Sequence, residues 1–196
     1  MRVYLLLLSF FGMVSCDSQK NNLLSIPFDQ PVTGLIHTNK LQETQDVNYG
    51  IYSYQTDQLD KFRIGSINLK SYAYPNSAAA DYNSLQIYVD NRKSQKYLGF
   101  RYTSVKQDEI TSLVEQLKKQ YPEFERRKDS FGETYFWDIK SLNAWLFYYP
   151  SFSTDKNDKN FLNSNFLFVK KGTRVENSKD ASVFTIWQLM EAQYPK

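Results

Sequence analysis

One imidazole and one thiol, His37 and Cys16, are all the chain offers of the two side chains most used in metal binding and nucleophilic catalysis. A catalytic histidine needs one group to orient it and another to react with. A structural metal needs several ligands. His37 has neither a second histidine nor a nearby cysteine, and it reads as a solvated loop residue in a polar segment. Serines are plentiful, but none lies in the glycine pattern of a nucleophile elbow. The seven glycines stand alone at 12, 34, 50, 65, 99, 132 and 172, so neither a phosphate-cradling loop nor a dinucleotide fingerprint can be assembled, and no cofactor is expected. Asp155-Lys156-Asn157-Asp158 lacks the glycine and closing glutamate of a calcium loop, so no metal is expected there. Carboxylate pairs remain. Asp108 with Glu109, Glu123 with Glu125, or Glu133 with Asp138 are the pairs that a small hydrolase would use, although Glu109 reads more simply as a charge in the first turn of a helix.

Aromatic content is the feature most out of line: fifteen Tyr, fourteen Phe and three Trp, concentrated in 135–149 and 161–187. On a pleated strand Tyr135, Trp137 and Ile139 share one face and Phe136 and Asp138 the other. In the next run Trp145, Phe147 and Tyr149 alternate with Leu146 and Tyr148. Apolar bulk on both faces marks central strands, covered by a helix on one side and by something else on the other. Two roles compete for these rings. They are core packing, which pleated surfaces favour, or Tyr135, Trp137, Trp145, Phe147 and Tyr149 form an exposed binding face that stacks on sugar rings or receives a protein.

The elements that must carry these residues follow from periodicity. Strands are expected at 50–54, at 62–70 and, with period two, at Ser84–Asp90. The turn residues Asp90-Asn91-Arg92-Lys93-Ser94 then return the chain as Tyr97–Tyr102, making a hairpin. Ser104 with Gln107 has the spacing of a capping box, and Ile110, Leu113, Val114, Leu117 and Tyr121 follow helical spacing until Pro122. Three aromatic strands follow at 134–139, 144–149 and 165–169, and Ser182–Met190 starts like a strand but continues with helical spacing. The expected fold is therefore α+β: an antiparallel sheet of about six strands in two layers, one main helix (about 105–121) packed on a face, and a C-terminal helix.

The N-terminus carries the most specific signal. Arg2 precedes a twelve-residue apolar run, Val3 to Val14, and a small residue then leads into Cys16. The run has the length of the apolar part of an export signal and falls short of the roughly 20 residues of a membrane-spanning helix. Val14-Ser15-Cys16 resembles the lipobox of bacterial lipoproteins, in the looser form with Met13 that is frequent in Bacteroidota-type members; the resemblance covers about the first sixteen residues. It implies cleavage before Cys16 and acylation of that cysteine, which becomes the first residue of the mature chain. Several acyl chains then hold what one cannot, each buried methylene contributing about 0.8 kcal/mol. The resulting organisation is a signal peptide over 1–15, the lipidated Cys16 and a flexible tether over 16–45, and a single domain over 46–196. Asp17 resembles an inner-membrane retention signal under the proteobacterial sorting rule, and other phyla do not follow that rule, so both envelope membranes stay open.

Removing residues 1–15 takes away Arg2 alone and lowers the formal charge from +3 to +2. The charges of the body are scattered, as in Glu125-Arg126-Arg127-Lys128-Asp129, without the basic stripe that a nucleic-acid partner requires. The expected function is that of an envelope lipoprotein with a non-catalytic binding domain, whose partner is an envelope protein, a toxin or a glycan. The alternative is a small envelope hydrolase using a carboxylate pair.

Overall fold

The structure is a computed structural model and describes residues 20–77 and 81–196. The expected signal peptide and Cys16 lie outside the described residues. The described chain starts with β1 (Asn21–Asn22), a 3-10 turn, α1 (Thr33–Thr38), β2 (Gln42–Gln45) and β3 (Tyr52–Thr56). It continues through a small hairpin, β4 (Phe62–Ile64) and β5 (Ile67–Asn68), to β6 (Ser84–Val89) and β7 (Tyr97–Ser104). The main helix α2 (Gln107–Gln120) follows, then β8 (Glu125–Lys128), β9 (Glu133–Ile139), β10 (Ala144–Thr154), β11 (Asn160–Lys170) and α3 (Ile186–Gln193).

The fold is α+β, and the antiparallel sheet has eight strands, in the order β2-β3-β6-β7-β11-β10-β9-β8. Two of these strands are absent from the sequence reading, β2 and β8, and both are edges. Their residues, Gln-Glu-Thr-Gln and Glu-Arg-Arg-Lys, are polar because charge on an edge discourages pairing with another chain.

Both faces of the sheet are covered, which corrects the two-layer expectation to three layers. On one face α2 places Ile110, Leu113 and Leu117 over Tyr102, Tyr135, Trp137, Tyr148 and Phe166. On the other, α3 places Ile186, Met190 and Tyr194 over Phe136, Phe147, Tyr149 and Leu167. Two anchors fix the helices to the sheet. The indole Nε1 of Trp137 donates to the Tyr121 carbonyl at the end of α2 (2.9 Å), and the Arg127 guanidinium donates to the Tyr194 carbonyl at the end of α3 (2.6 Å) while lying 4.1 Å from the centre of the Phe136 ring.

The expected flexible tether over 16–45 is corrected for residues 20–45. Leu23 and Leu24 are buried, β1 pairs in parallel with β4, and Phe28 stacks on Tyr97 and Phe168 with centroids 5.6 and 5.4 Å away. A few apolar residues in a polar stretch suffice here because each meets a preformed sheet face. The strand expected over 62–70 is instead the hairpin β4–β5, which turns at Gly65 with φ +60°, a backbone that favours glycine. Ser104 does not cap α2. It ends β7, Lys106 occupies the cap position, and a capping box forms at α3 through Thr185 and Gln188.

Candidate functional site

The five aromatic residues expected as a binding face do not form one. Tyr135 and Trp137 point into the core beneath α2, whereas Phe147 and Tyr149 point into the core beneath α3. All four are buried, and Trp145 is half-buried beside Trp187. The core reading of these rings is the one that holds. Neighbouring strands stack them into continuous layers, such as Phe136 edge-on to Phe147 at 5.0 Å and Tyr135 over Tyr148 at 5.7 Å.

None of the three carboxylate pairs converges. Glu133 and Asp138 stand an odd number of residues apart on β9 and so face opposite sides; Glu133 meets Arg126 and Tyr135, and Asp138 meets Lys171. Glu125 holds Arg127 and Lys196, and Glu123 is exposed. Asp108 is exposed beside Lys106, whereas Glu109 is buried. His37 is exposed on α1. Among the described residues no group of three or more His, Cys, Asp and Glu side chains is placed to hold a metal ion.

Two buried polar clusters were not legible in the sequence. In the first, Glu109 Oε1 accepts from the hydroxyls of Tyr102 and Ser104 (the latter 3.0 Å) and from Asn83 Nδ2 (3.1 Å), and Asn83 Oδ1 in turn accepts from the Val105 amide (2.8 Å). The cluster ties the start of α2 to the ends of β6 and β7. Burial pushes the Glu109 carboxyl above the usual carboxylate range, against the hydrogen bonds from Tyr102 and Ser104, which lower it. With the folded value raised, Glu109 contributes stability that is fully present below its unfolded value and is lost as pH rises through the folded one. Glu109→Gln keeps the oxygen acceptor and removes the titration. The difference in unfolding free energy between wild type and this variant is therefore expected to shift in favour of the variant as pH rises through the raised value. A pH-independent difference in urea melts would remove this role of Glu109.

The second cluster lies under α3. Asp46, fully buried, accepts from the Asn48 and Tyr49 amides through Oδ1 (2.8 and 3.0 Å), and Oδ2 meets the Tyr88 hydroxyl (2.7 Å) and the Arg101 guanidinium (3.1 Å). The Tyr49 and Tyr149 hydroxyls are 3.0 Å apart. Burial pushes Tyr49 and Tyr88 well above the ordinary tyrosine range, so they stay neutral. Each member has a partner within the cluster, which acts as a tie between the β2–β3 turn, β6, β7 and β10.

One of several open features is a groove of about 380 Å³ between α2 and the far ends of β9–β11, walled by Ile110, Val114, Tyr135, Tyr148, Pro150 and Leu162, with Glu115, Lys118 and Glu133 along its polar side. Phe131 lines it and is 47% exposed, and Phe152, 48% exposed, stands next to Phe131 with ring centroids 6.0 Å apart. Local sequence puts both rings there. Asp129 Oδ1 accepts from the Phe131 and Gly132 amides (2.7 and 2.9 Å), so the β8–β9 turn is pinned and holds Phe131 outward. Phe152 shares its face of β10 with Tyr148 and Pro150, but the start of α2 reaches only to Leu162, whose carbonyl accepts from Gln107 Nε2 (2.8 Å). The hairpin runs on past the helix and Phe152 is left uncovered. Lys118 Nζ lies 3.6 Å from the centre of the Tyr135 ring inside the groove, and the Tyr135 hydroxyl donates to the Glu133 carboxylate. Of the five aromatic residues named from sequence, Tyr135 alone lines this groove.

No helix among the described residues is long and apolar enough to cross a membrane. No family model matches the chain, and neither a curated protein nor a solved structure matches it.

Proposed function

We propose that the chain is an exported, non-catalytic binding domain, held on a bacterial membrane by acyl chains on Cys16, whose groove takes an apolar side chain from a protein partner in the cell envelope. The observation that carries the binding role is the Phe131–Phe152 pair, two large rings left in water beside a groove whose sheet side is apolar. The anchoring role rests on the position of the chain's one cysteine at the exit of the apolar run.

The chemistry of the groove favours a protein over a glycan. A sugar ring is held by a flat aromatic platform flanked by free polar groups, but Phe131 and Phe152 are tilted by 54° to each other. Of the polar groups on the walls, Glu133 is engaged with Tyr135 and Arg126 and Tyr148 with Ser164 at 3.3 Å, which leaves the charges of Glu115 and Lys118 on the helix side to flank an apolar side chain. An aliphatic or aromatic side chain needs neither platform nor hydrogen bonds.

The test pairs the wild-type domain with a Phe131→Ser/Phe152→Ser double variant, immobilised against a detergent extract of the host envelope. Both rings are exposed, so the thermal midpoint is expected to stay within a few degrees. Retention of the specific partner is expected to fall roughly 30-fold, the effect of removing a 2 kcal/mol anchor. A photoreactive residue at position 131 should cross-link to an apolar segment of that partner. Equal retention by both forms, or cross-links to carbohydrate alone, would overturn the groove assignment. Intact mass of the chain made in a lipoprotein-processing host tests the anchor: a mature chain starting at acylated Cys16 is expected, and an unmodified chain cut elsewhere would overturn it.

A further inference from the structure

If Cys16 is the acylated residue, as proposed above, very little chain separates the lipid from the folded domain. From Cys16 to Asn21 is five residues, at most about 18 Å even when fully extended. From Asn21 onward the chain is fixed. The Asn21 amide donates to the Lys61 carbonyl (2.9 Å), Asn21 and Asn22 pair with Phe62 and Arg63, and Leu23 and Leu24 are buried. A domain tied this closely cannot turn its far end to the bilayer without lifting the attachment point beyond the reach of its leash.

The surface around Asn21 fits a headgroup layer. Lys20, Lys61 and Arg63 bring three cations, opposed on the same segments by Asp60 and Asp29, and Asp29 is already taken up by Lys170. Pro27 and Gly34 are exposed between them and Leu35 is half-buried, so small and apolar groups interleave with the positive charge. Basic residues near an anionic leaflet contribute about 1 kcal/mol each.

Strand register places the groove at the other end of the sheet. Phe28, in this N-terminal cap, stacks on Phe168, whereas Phe152 pairs with Leu162; both partners lie on β11, six residues or about 20 Å apart. We infer that the cap surface bearing Lys20, Pro27, Gly34, Leu35, Lys61 and Arg63 lies against the lipid headgroups, and that the Phe131–Phe152 groove faces away from the bilayer. The partner then approaches from the aqueous compartment, and the anchor acts as an orienting device as well as a tether.

The test uses the full acylated chain in vesicles of phosphatidylethanolamine and phosphatidylglycerol. Cys16 is the only cysteine and acylation consumes its thiol, so Gly34→Cys and Ser130→Cys each present one thiol for a fluorophore; both positions are exposed, and no heavy atom lies within 4 Å of a Cβ built at Gly34. With headgroup nitroxide lipids the label at 34 is expected to be quenched several-fold more than the label at 130. A Gly/Ser insertion of about twenty residues after Ser18 should reduce that difference severalfold, and so should Lys20→Glu/Lys61→Glu. Equal quenching at the two positions on a chain shown by mass to be acylated would overturn the orientation and leave the anchor standing. A chain without acyl groups would overturn both.

Discussion

Asp46→Ala is expected to cost about 3–5 kcal/mol, the range for removing one partner of a buried ion pair. The carboxylate is fully buried and is shared by four donors: two amides of the β2–β3 turn, the Tyr88 hydroxyl and the Arg101 guanidinium. Alanine leaves all four without their acceptor, and the guanidinium is left as an uncompensated charge at a site largely closed to water. Asp46→Asn retains one oxygen for the turn amides but sets an amide group against Arg101, so its loss should be intermediate. For a chain of this length the alanine variant should melt roughly 6–20 °C lower. Urea unfolding followed by tryptophan fluorescence measures both variants, and a loss below about 1 kcal/mol for alanine would mean that water takes over the role of the carboxylate.

Nothing in the sequence around Asp46 announces this cluster. Asp46, Tyr49, Tyr88, Arg101 and Tyr149 are dispersed over a hundred positions, and no local pattern links one to another. What the sequence does carry is local: period-two alternation located β6, β7, β9 and β10, and helical spacing located α2, with boundaries displaced by a few residues. Those signals work because each element buries its own stripe of side chains. They fail for β2 and β8, whose burial is decided by the strand beside them rather than by their own composition. They fail too for the N-terminal segment, where Leu23, Leu24 and Phe28 dock one at a time onto a sheet built from distant residues. The candidate site follows the same division. The density of aromatic residues was legible, but which of these rings stay in water depends on how Asp129 pins the β8–β9 turn and on where α2 begins relative to the β10–β11 hairpin. Phe131 and Phe152 are therefore the residues that sequence patterns had no means to single out.

A second large effect is expected at Gly99, inside β7. The period-two pattern would send Tyr97 to the same face as Arg101. The ladder instead pairs Gly99 with Tyr88 and Tyr97 with Val89, so Leu98 is an extra residue and the strand bulges there. The bulge re-aims Tyr97 into the core beneath the N-terminal cap, where its hydroxyl donates to the Leu23 carbonyl (2.9 Å) and its ring stacks on Phe28. Only glycine fits the hinge. Its φ is +146°, and a Cβ would lie 2.0 Å from the Phe168 carbonyl oxygen and 2.8 Å from the Val169 Cα, both backbone atoms of the adjoining strand. Gly99→Ala must therefore part β7 from β11 or undo the bulge, and either change withdraws Tyr97 from Leu23. We expect a loss of at least about 3 kcal/mol, from backbone strain together with lost core packing. Amide exchange should localise the damage: the protected amides of Asn21 and Asp29, which bond to Lys61 and Tyr97, should exchange much faster than those of β9 and β10. A variant that melts as the wild type does, with the Asn21 and Asp29 amides still protected, would show that the bulge does not control the docking of the cap. If the cap does come loose, the same substitution lengthens the effective leash to the lipid, and the selective quenching at position 34 should fade with it.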